Sequence, residues 1–481
     1  MNLLSRREML SLAAAPVVRG AVRSRPNILY IMADDHASHA ISAYGSRINR
    51  TPNLDRIAQG GARLDNCFCT NSICTPSRAA ILTGQYSHNN GVYTLSDRLD
   101  PSHDNVAKRL QSAGYQTAIV GKWHLVTDPS GFDYWNILPG QGDYYNPVFI
   151  DRGEKKKHQG YCTDLITDFS LDWLRKRDPG RPFFLMCHHK APHRPWLPGP
   201  KYAHLFDGQT IPEPDNLFDH YESRPASIAN VKMRVGEDST KTDLKVDIPS
   251  GLTGDALRKW AYQYYIKDYL RCVQSVDDGV GRLLDYLDAE DLARDTVVIY
   301  TSDQGFFLGD HGWYDKRLMY EESLRMPFLI RYPGVIRPGT VNKDMVLNID
   351  FAPLFLEYAR AAKPAAMQGR GFRANLEGRT PRDWRRSMYY RYWMHNDESH
   401  HVPASYGLRT HRYKLIYVYG QPLDMRGANP PATVPAWELY DLEKDPREMR
   451  NLYDDPAYAK VVRELKAELD RLQREAGDTP A

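Results

Sequence analysis

A chain of 481 residues is long enough for two or three domains, and its 42% hydrophobic and 11% aromatic residues can fill a large core. The 63 basic and 60 acidic side chains are mixed along the sequence and leave a net charge of +3, which excludes the electrostatic footprint of a nucleic-acid-binding protein. Six cysteines (67, 69, 74, 162, 187 and 272) are too few for a disulfide scaffold of this size, and no C-x-x-C pair signals structural zinc.

The N-terminus reads SRREMLSLAAAPVVRGA. Ser5, Arg6, Arg7 and Leu10 fit the S-R-R-x-x-L pattern of a twin-arginine export signal. The apolar run behind them, Met9 to Val18, is too short to span a bilayer, and a cleavage point falls near Gly20–Ala21. Residues 1–24 are therefore expected to be an export signal or a flexible N-terminus, with the mature protein periplasmic or secreted. A basic cytosolic tail is the plainer alternative. No other segment is apolar enough to cross a membrane.

Four short apolar runs follow, and each stops on polar residues. Ile28–Met32 stops on Asp34, Asp35 and His36. Ala118–Val120 stops on Lys122 and His124. Phe183–Cys187 gives way to His188, His189, Lys190 and His193, and Val297–Tyr300 to Ser302, Asp303 and Gln304. Short continuous apolar runs predict strands buried on both faces. Helical stretches lie between them at Asn53–Leu64, Asn105–Gly114 and Asp164–Arg177. This alternation predicts a doubly wound α/β sheet, with its ligand beyond the carboxyl ends of the strands.

The residue types at those ends suggest a chemistry. Asp34, Asp35 and Asp303, with the neutral oxygen of Gln304, form an all-oxygen set suited to calcium or magnesium. Without a cation the three acids would repel one another. Taken alone, Asp34–Asp35 reads equally well as a helix cap and a surface acid. A basic set of Arg78, Lys122, His124, His193 and Lys316 accompanies the acids. A cation beside fixed positive side chains can hold a tetrahedral oxyanion such as sulfate or phosphate. In ICTPSRAAILTG, Pro76 fits the first turn of a helix and Gly84 its end. Cys74 is expected just before that helix, where an anion or a thiolate is favoured. Residue chemistry leaves it open as a core residue, half of a disulfide, a nucleophile or a precursor of something else.

Farther along, residues 212–254 are rich in Pro, Asp and Lys and read either as an insertion over the cleft or as a structural excursion. Alternation over 407–419 predicts antiparallel strands. Residues 457–477 predict a terminal helix with Val461, Leu465, Leu469 and Leu472 on one face. His400 and His401 lie in a polar stretch that could face a sugar or simply the solvent.

CTPSR matches C-x-P-S-R, and LTGQYSHNNGV, PNILYIMADD, GKWH, APHRP, TSDQG and GWYDKRLMYEESLRMPFLIRYPG accompany it in order. From Arg25 to about Tyr453 the chain resembles the formylglycine-dependent (type I) sulfatase family. That resemblance implies an alkaline-phosphatase-like α/β fold: a large, mostly parallel sheet flanked by helices in a catalytic domain over 25–365. A smaller C-terminal α+β domain over 366–481 would hold antiparallel strands and a terminal helix. It implies that Cys74 becomes formylglycine (3-oxoalanine) through a separate formylglycine-generating enzyme that reads Pro76 and Arg78. It implies one calcium ion held by Asp34, Asp35, Asp303 and Gln304, with the modified residue 74 as a further ligand; many members carry Asn where Gln304 stands. The aldehyde would hydrate, one hydroxyl would attack sulfur, and the second would expel sulfate. In that scheme His193 is the general acid with help from Lys316, Lys122 and Arg78 hold charge, and His124 takes the second hydroxyl's proton. The C-terminal stretches YYRYWMHNDESHHVPASYGLRTHRYKLIYVYG and WELYDLEKDPREMRNL resemble bacterial N-acetylglucosamine-6-sulfatases. The implied substrate is a sulfated saccharide of a glycosaminoglycan or mucin glycan. The alternatives are a phosphonate monoester or phosphodiester hydrolase, other sulfate esters such as choline sulfate or a uronic acid 2-sulfate, and a non-catalytic sulfated-glycan binder.

Overall fold

All four apolar runs become strands: Asn27–Ala33, Gln116–Lys122, Phe183–His188 and Thr296–Ser302. The computed structural model describes residues 25–479, so the export-signal stretch lies outside the described residues. The four strands are consecutive neighbours at the middle of a ten-stranded sheet, in the order Thr296–Ser302, Asn27–Ala33, Phe183–His188, Gln116–Lys122. Each pairs in parallel with the next. Their carboxyl ends therefore share one edge, and the polar residues that follow them in sequence are brought together. Tyr134–Leu138 extends the parallel set, and Phe328–Arg331 borders it antiparallel on the other side.

Alternation with period 2 sends successive side chains of each strand into different cores. Leu29 and Ile31 fill one apolar layer with the helices Pro52–Gln59, Cys162–Lys176 and Gly254–Ala289. Ile28, Tyr30 and Met32 fill the other with Cys74–Thr83, Val106–Ser112 and Phe351–Ala359. Each fully buried side chain of this size contributes about 1.5–3 kcal/mol, so the two layers hold the strand ends rigidly in place.

One expected helix is shorter than its sequence suggested. Asn53–Leu64 divides into a helix, Pro52–Gln59, and a strand, Ala62–Leu64, which pairs antiparallel with Phe328–Arg331. The break lies at Gly60–Gly61. A Cβ on Gly61 would fall 2.0 Å from the Ile330 carbonyl oxygen, so the backbones approach as only glycine allows. Gly61→Ala is expected to destabilise the protein by about 1–3 kcal/mol through overpacking. Thermal unfolding measures this, and an unchanged melting temperature would contradict the close approach.

Beyond the large sheet, Ser387–Tyr392, Ser405–Thr410, Tyr413–Val418 and Ala436–Asp441 form a four-stranded antiparallel sheet in sequential order. The expected strands over 407–419 are its central hairpin. The terminal helix Ala459–Ala476 covers this sheet, with Leu465, Leu469 and Leu472 buried and Val461 half-buried, and Gly477 ends it at φ 70°. Residues 212–254 hold two short helices, Ala226–Ala229 and Lys241–Leu244, in otherwise irregular chain. All six cysteines are free. Among the described residues no helix is long and apolar enough to cross a membrane.

Candidate active site

Asp34 and Asp35 leave the strand Asn27–Ala33 at the shared edge. Asp35 turns through the left-handed region at φ 65°, which aspartate tolerates better than most residues. Tyr269 fixes this turn: its hydroxyl donates to the Asp35 carbonyl at 2.7 Å and accepts from Ala37 N–H at 2.8 Å. Asp303, at the end of the neighbouring strand, accepts from Asp35 N–H at 3.2 Å. Carboxylate oxygens of Asp34, Asp35 and Asp303 lie within 4.8 Å of one another. All three residues are fully buried.

Basic side chains answer this negative charge. Arg78 donates from Nε to Asp303 Oδ2 at 3.0 Å and from Nη1 to the Lys122 carbonyl at 2.7 Å, and its Nη2 lies 3.5 Å from Asp34 Oδ1. Lys122 Nζ pairs with Asp34 Oδ2 and donates to Gln141 Oε1 at 2.5 Å. Lys316 Nζ bridges both oxygens of Asp35 at 2.6 and 2.8 Å. The balance is uneven. Burial pushes Asp34 upward, but Lys122, His193 and Arg78 outweigh it and hold the group well below the usual carboxylate range. For Asp35, burial prevails over Lys316 and is reinforced by Asp34 and Asp303, reaching about 8. Burial and Asp34, opposed by Arg78, push Asp303 up to about 6. The three cations match the three acids in number, yet burial and mutual repulsion still disfavour the charged forms of Asp35 and Asp303. Gln304 donates from Nε2 to Asp35, while its Oε1 is buried without a hydrogen-bond partner. Three crowded carboxylates and one orphaned amide oxygen fit a hard divalent cation.

Cys74 is the first residue of the helix Cys74–Thr83 rather than the residue before it, because Ile73 is already extended at φ −156°. Pro76 still lies in the first turn, and Gly84 closes the helix at φ 67°. Every residue of this helix is buried. Ser77 donates to the Asp303 carbonyl and accepts from Asn348 Nδ2 at 2.9 Å, which locks the helix start to the acid cluster. Cys74 Sγ lies 3.5 Å from Asp34 Oδ1. Burial and then Asp34, against Lys316 and Lys122, push its thiol well above the ordinary range. The helix start alone therefore does not offset burial and Asp34 at this thiol.

The two expected proton carriers flank this centre. His193 Nε2 lies 3.7 Å from Asp35 Oδ2, and its Nδ1 lies 2.7 Å from the Arg194 carbonyl. A carbonyl only accepts, so Nδ1 carries a proton and Nε2 faces the acids. His124, at φ 56°, places Nδ1 3.4 Å from Thr75 Oγ1. Burial, then Lys122, holds both histidines well below the ordinary range. The other strand-end residues face elsewhere. His36 bonds Tyr300 Oη at 2.5 Å, His188 approaches the Lys122 carbonyl at 3.2 Å, and Lys190 lies over the Tyr144 ring at 4.8 Å.

A cavity of about 440 Å³ opens above Cys74, His193 and Lys316. Its walls include groups that sequence reasoning passed over: Gln141, Arg194, Asp315, Arg317 and Asp397. His400 lines it, whereas His401 is exposed and is not among the lining residues. His400 Nδ1 lies 2.8 Å from Asp397 Oδ1 and its Nε2 3.4 Å from Asp315 Oδ2, while Arg317 Nε donates to Asp315 at 3.2 Å. Alternating charge in YDKR and the D-x-x-H spacing of DESH were the available signals. No residue of 212–254 lines the cavity, so the reading of that segment as a wall over the cleft is not met. Instead it packs beside the centre, with Asp243 clamping Arg194 at 2.6 and 2.5 Å.

The family profile described as Sulfatase matches residues 26–361, and one described as N-sulphoglucosamine sulphohydrolase, C-terminal, matches 309–475. An N-acetylglucosamine-6-O-sulfatase of Bacteroides thetaiotaomicron is 41% identical over 98% of this chain and 90% of its own length. The N-acetylglucosamine-6-sulfatase of Capra hircus is 29% identical over 78% of this chain and 68% of its own. A solved structure of a protein with its substrate D-glucosamine-2-N,6-O-disulfate superposes with a TM-score of 0.89 at 41% identity, covering 94% of this chain and 98% of that one. The phosphonate monoester hydrolase of Agrobacterium radiobacter shares the fold at 22% identity, with a TM-score of 0.74 over 94% of this chain and 96% of that one. With an acid cluster, a basic cluster and the C-x-P-S-R cysteine on one sheet edge, and these matches spanning nearly all of its length, the chain belongs to the sulfatase family and is a sulfuric ester hydrolase.

Proposed function

We propose that this sulfatase removes the 6-O-sulfate from a glucosamine unit of a sulfated saccharide, such as N-acetylglucosamine-6-sulfate in a glycosaminoglycan or mucin glycan. The observation that carries this reading is the cavity. Its volume of about 440 Å³ falls in the range of small-molecule sites, Cys74, His193 and Lys316 reach its floor from the catalytic cluster, and its wall of Asp315, Arg317, Asp397 and His400 offers donors and acceptors to sugar hydroxyls. The names of the relatives support it from outside the geometry.

Residue 74, converted to formylglycine by a formylglycine-generating enzyme, would as its hydrate offer one hydroxyl to displace the sugar oxygen from sulfur and a second whose deprotonation would expel sulfate and restore the aldehyde. Asp34, Asp35, Asp303 and Gln304 would hold calcium, which would supply positive charge that acidifies a hydroxyl at residue 74. Arg78 and Lys122 fix the orientation of the acids and hold charge on sulfuryl oxygens. His193, through Nε2, donates to the leaving sugar oxygen, assisted by Lys316. Burial and Lys122 hold His193 well below the ordinary range in the free site, and the negative charge of a bound sulfate ester would oppose them. His124 receives the proton of the second hydroxyl. The floor belongs to a catalytic part, 25–365, and half of the wall to a C-terminal part, 366–481. The twin-arginine motif, outside the described residues, directs export to the periplasm or beyond.

Protein co-produced with the modifying enzyme tests the substrate reading. The assay panel is D-glucosamine-6-sulfate, N-acetylglucosamine-6-sulfate, a uronic acid 2-sulfate disaccharide, choline sulfate and an aryl phosphonate ester. The 6-O-sulfated glucosamines are expected to lead in kcat/KM by at least about 100-fold, the discrimination that matched polar groups supply. A lead for the phosphonate or for choline sulfate overturns this reading.

A further inference from the structure

Two loops bring the C-terminal part to the cavity. Residues 394–402 carry Asp397 and His400, and the long connection between Tyr413–Val418 and Ala436–Asp441 carries Gly427 and Asn429. His395 is fully buried where the loops meet. Its Nε2 lies 2.9 Å from the Pro431 carbonyl, and its Nδ1 lies 3.1 Å from Ala404 N–H. The carbonyl only accepts and the amide only donates, so the ring is neutral with its proton on Nε2. Both nitrogens are thereby committed to joining chain segments.

The neighbouring groups continue the seam. The His395 carbonyl accepts from Asn429 N–H at 2.9 Å. Asn396 donates from Nδ2 to the Pro430 carbonyl at 3.0 Å, and its own carbonyl accepts from Asn429 Nδ2 at 3.2 Å. The far end of the second loop is seated against the first part of the chain. A Cβ on Gly427 would fall 2.7 Å from Ser96 Oγ and 3.0 Å from Met394 Cε. The antiparallel sheet beneath is held by its own ladders and does not need this seam.

We propose that His395 is a positioning residue for the saccharide. As a neutral Nε2–H imidazole it sets how far the Asp397–His400 wall stands from the Gly427–Asn429 wall, and it takes no part in bond making at residue 74. This rests on the saccharide reading above. A wall displaced by about 1 Å loses aligned hydrogen bonds to the sugar, while a small aryl sulfate that needs only the floor is indifferent.

The test compares kcat and KM on D-glucosamine-6-sulfate and on 4-nitrophenyl sulfate for the parent, His395→Gln, His395→Asn and Asn396→Gly. Gln retains an N–H that reaches Pro431, whereas Asn retains only the acceptor for Ala404. Gly keeps the left-handed backbone of residue 396, at φ 49°, and removes its amide. His395→Asn and Asn396→Gly are expected to raise the saccharide KM about tenfold with kcat within about twofold, and to leave the aryl ester unchanged. His395→Gln is expected to stay nearer the parent. Should His395→Asn fail to fold, Asn396→Gly decides alone. An unchanged saccharide KM in Asn396→Gly, or an equal loss on both substrates, overturns the positioning role while the substrate reading stands. A parent that cleaves the aryl ester and not the saccharide overturns the substrate reading, and the positioning role with it.

Discussion

Cys74→Ala, produced beside the modifying enzyme, should fold normally and lose about 10⁴-fold or more in kcat, the scale of removing a nucleophile that works with its neighbours as a unit. The side chain is 1% exposed, so its truncation leaves a small buried gap worth about 1 kcal/mol, too little to unfold a protein of this size. The unmodified thiol should be no substitute. A thiol lacks the second hydroxyl that a hydrate would use to expel sulfate, and burial and Asp34 push it above the ordinary range. A hydroxyl beside residue 74 is also near a base: Thr75 Oγ1, 3.4 Å from His124 Nδ1. Thr75→Val should retain most activity if residue 74 carries the reaction. If Thr75→Val is dead and Cys74→Ala active, the nucleophile has been assigned to the wrong neighbour. Mass spectrometry of the peptide holding residue 74 is the independent check, with a loss of ~18 Da relative to the thiol marking the aldehyde.

The floor of the site was legible in sequence because strand ends report their position. Asp34, Lys122, His193 and Asp303 each follow an apolar run, and four parallel neighbours must deliver such residues to one edge. Cys74 and Arg78 were readable for a different reason, since Pro76 and Gly84 bracket a helix whose start points at that edge. The wall was not legible. Asp397 and His400 lie in an irregular stretch with no period, and they reach the cavity only because the antiparallel sheet docks beside it. Nothing local in DESH encodes that docking. Gln141 is hidden in the same way, in a loop whose direction depends on Tyr134–Leu138 pairing in parallel. The overlong helix at Asn53–Leu64 failed for a third reason. Its apolar period continues through Gly60–Gly61, and only the approach of Ile330 shows why the chain cannot remain helical there.

Calcium should raise the melting temperature, and it should do so without substrate and without the aldehyde. The argument is the charge balance around Asp34, Asp35 and Asp303. Arg78, Lys122 and Lys316 each already have a carboxylate, yet burial and mutual repulsion leave Asp35 and Asp303 far above the ordinary carboxylate range. A cation that binds only the folded chain relieves that repulsion and stabilises by mass action, about 2.7 kcal/mol at a free concentration of 100 times its dissociation constant. Magnesium prefers a smaller, more regular shell of its own waters, so at equal concentration its effect should be smaller. Asp303→Asn separates charge relief from general ionic effects. Without calcium the variant loses one of three repelling charges but also the carboxylate that Arg78 pairs with, so each protein is compared with its own calcium-free form. With calcium the parent should gain stability and the variant should gain little. The measurement is thermal unfolding of unmodified Cys74 protein with chelator and then with calcium or magnesium, so that catalysis cannot contribute. Equal shifts in parent and variant would place the cation elsewhere, and no shift in the parent would mean that three crowded carboxylates and the orphaned Gln304 oxygen do not make a cation site.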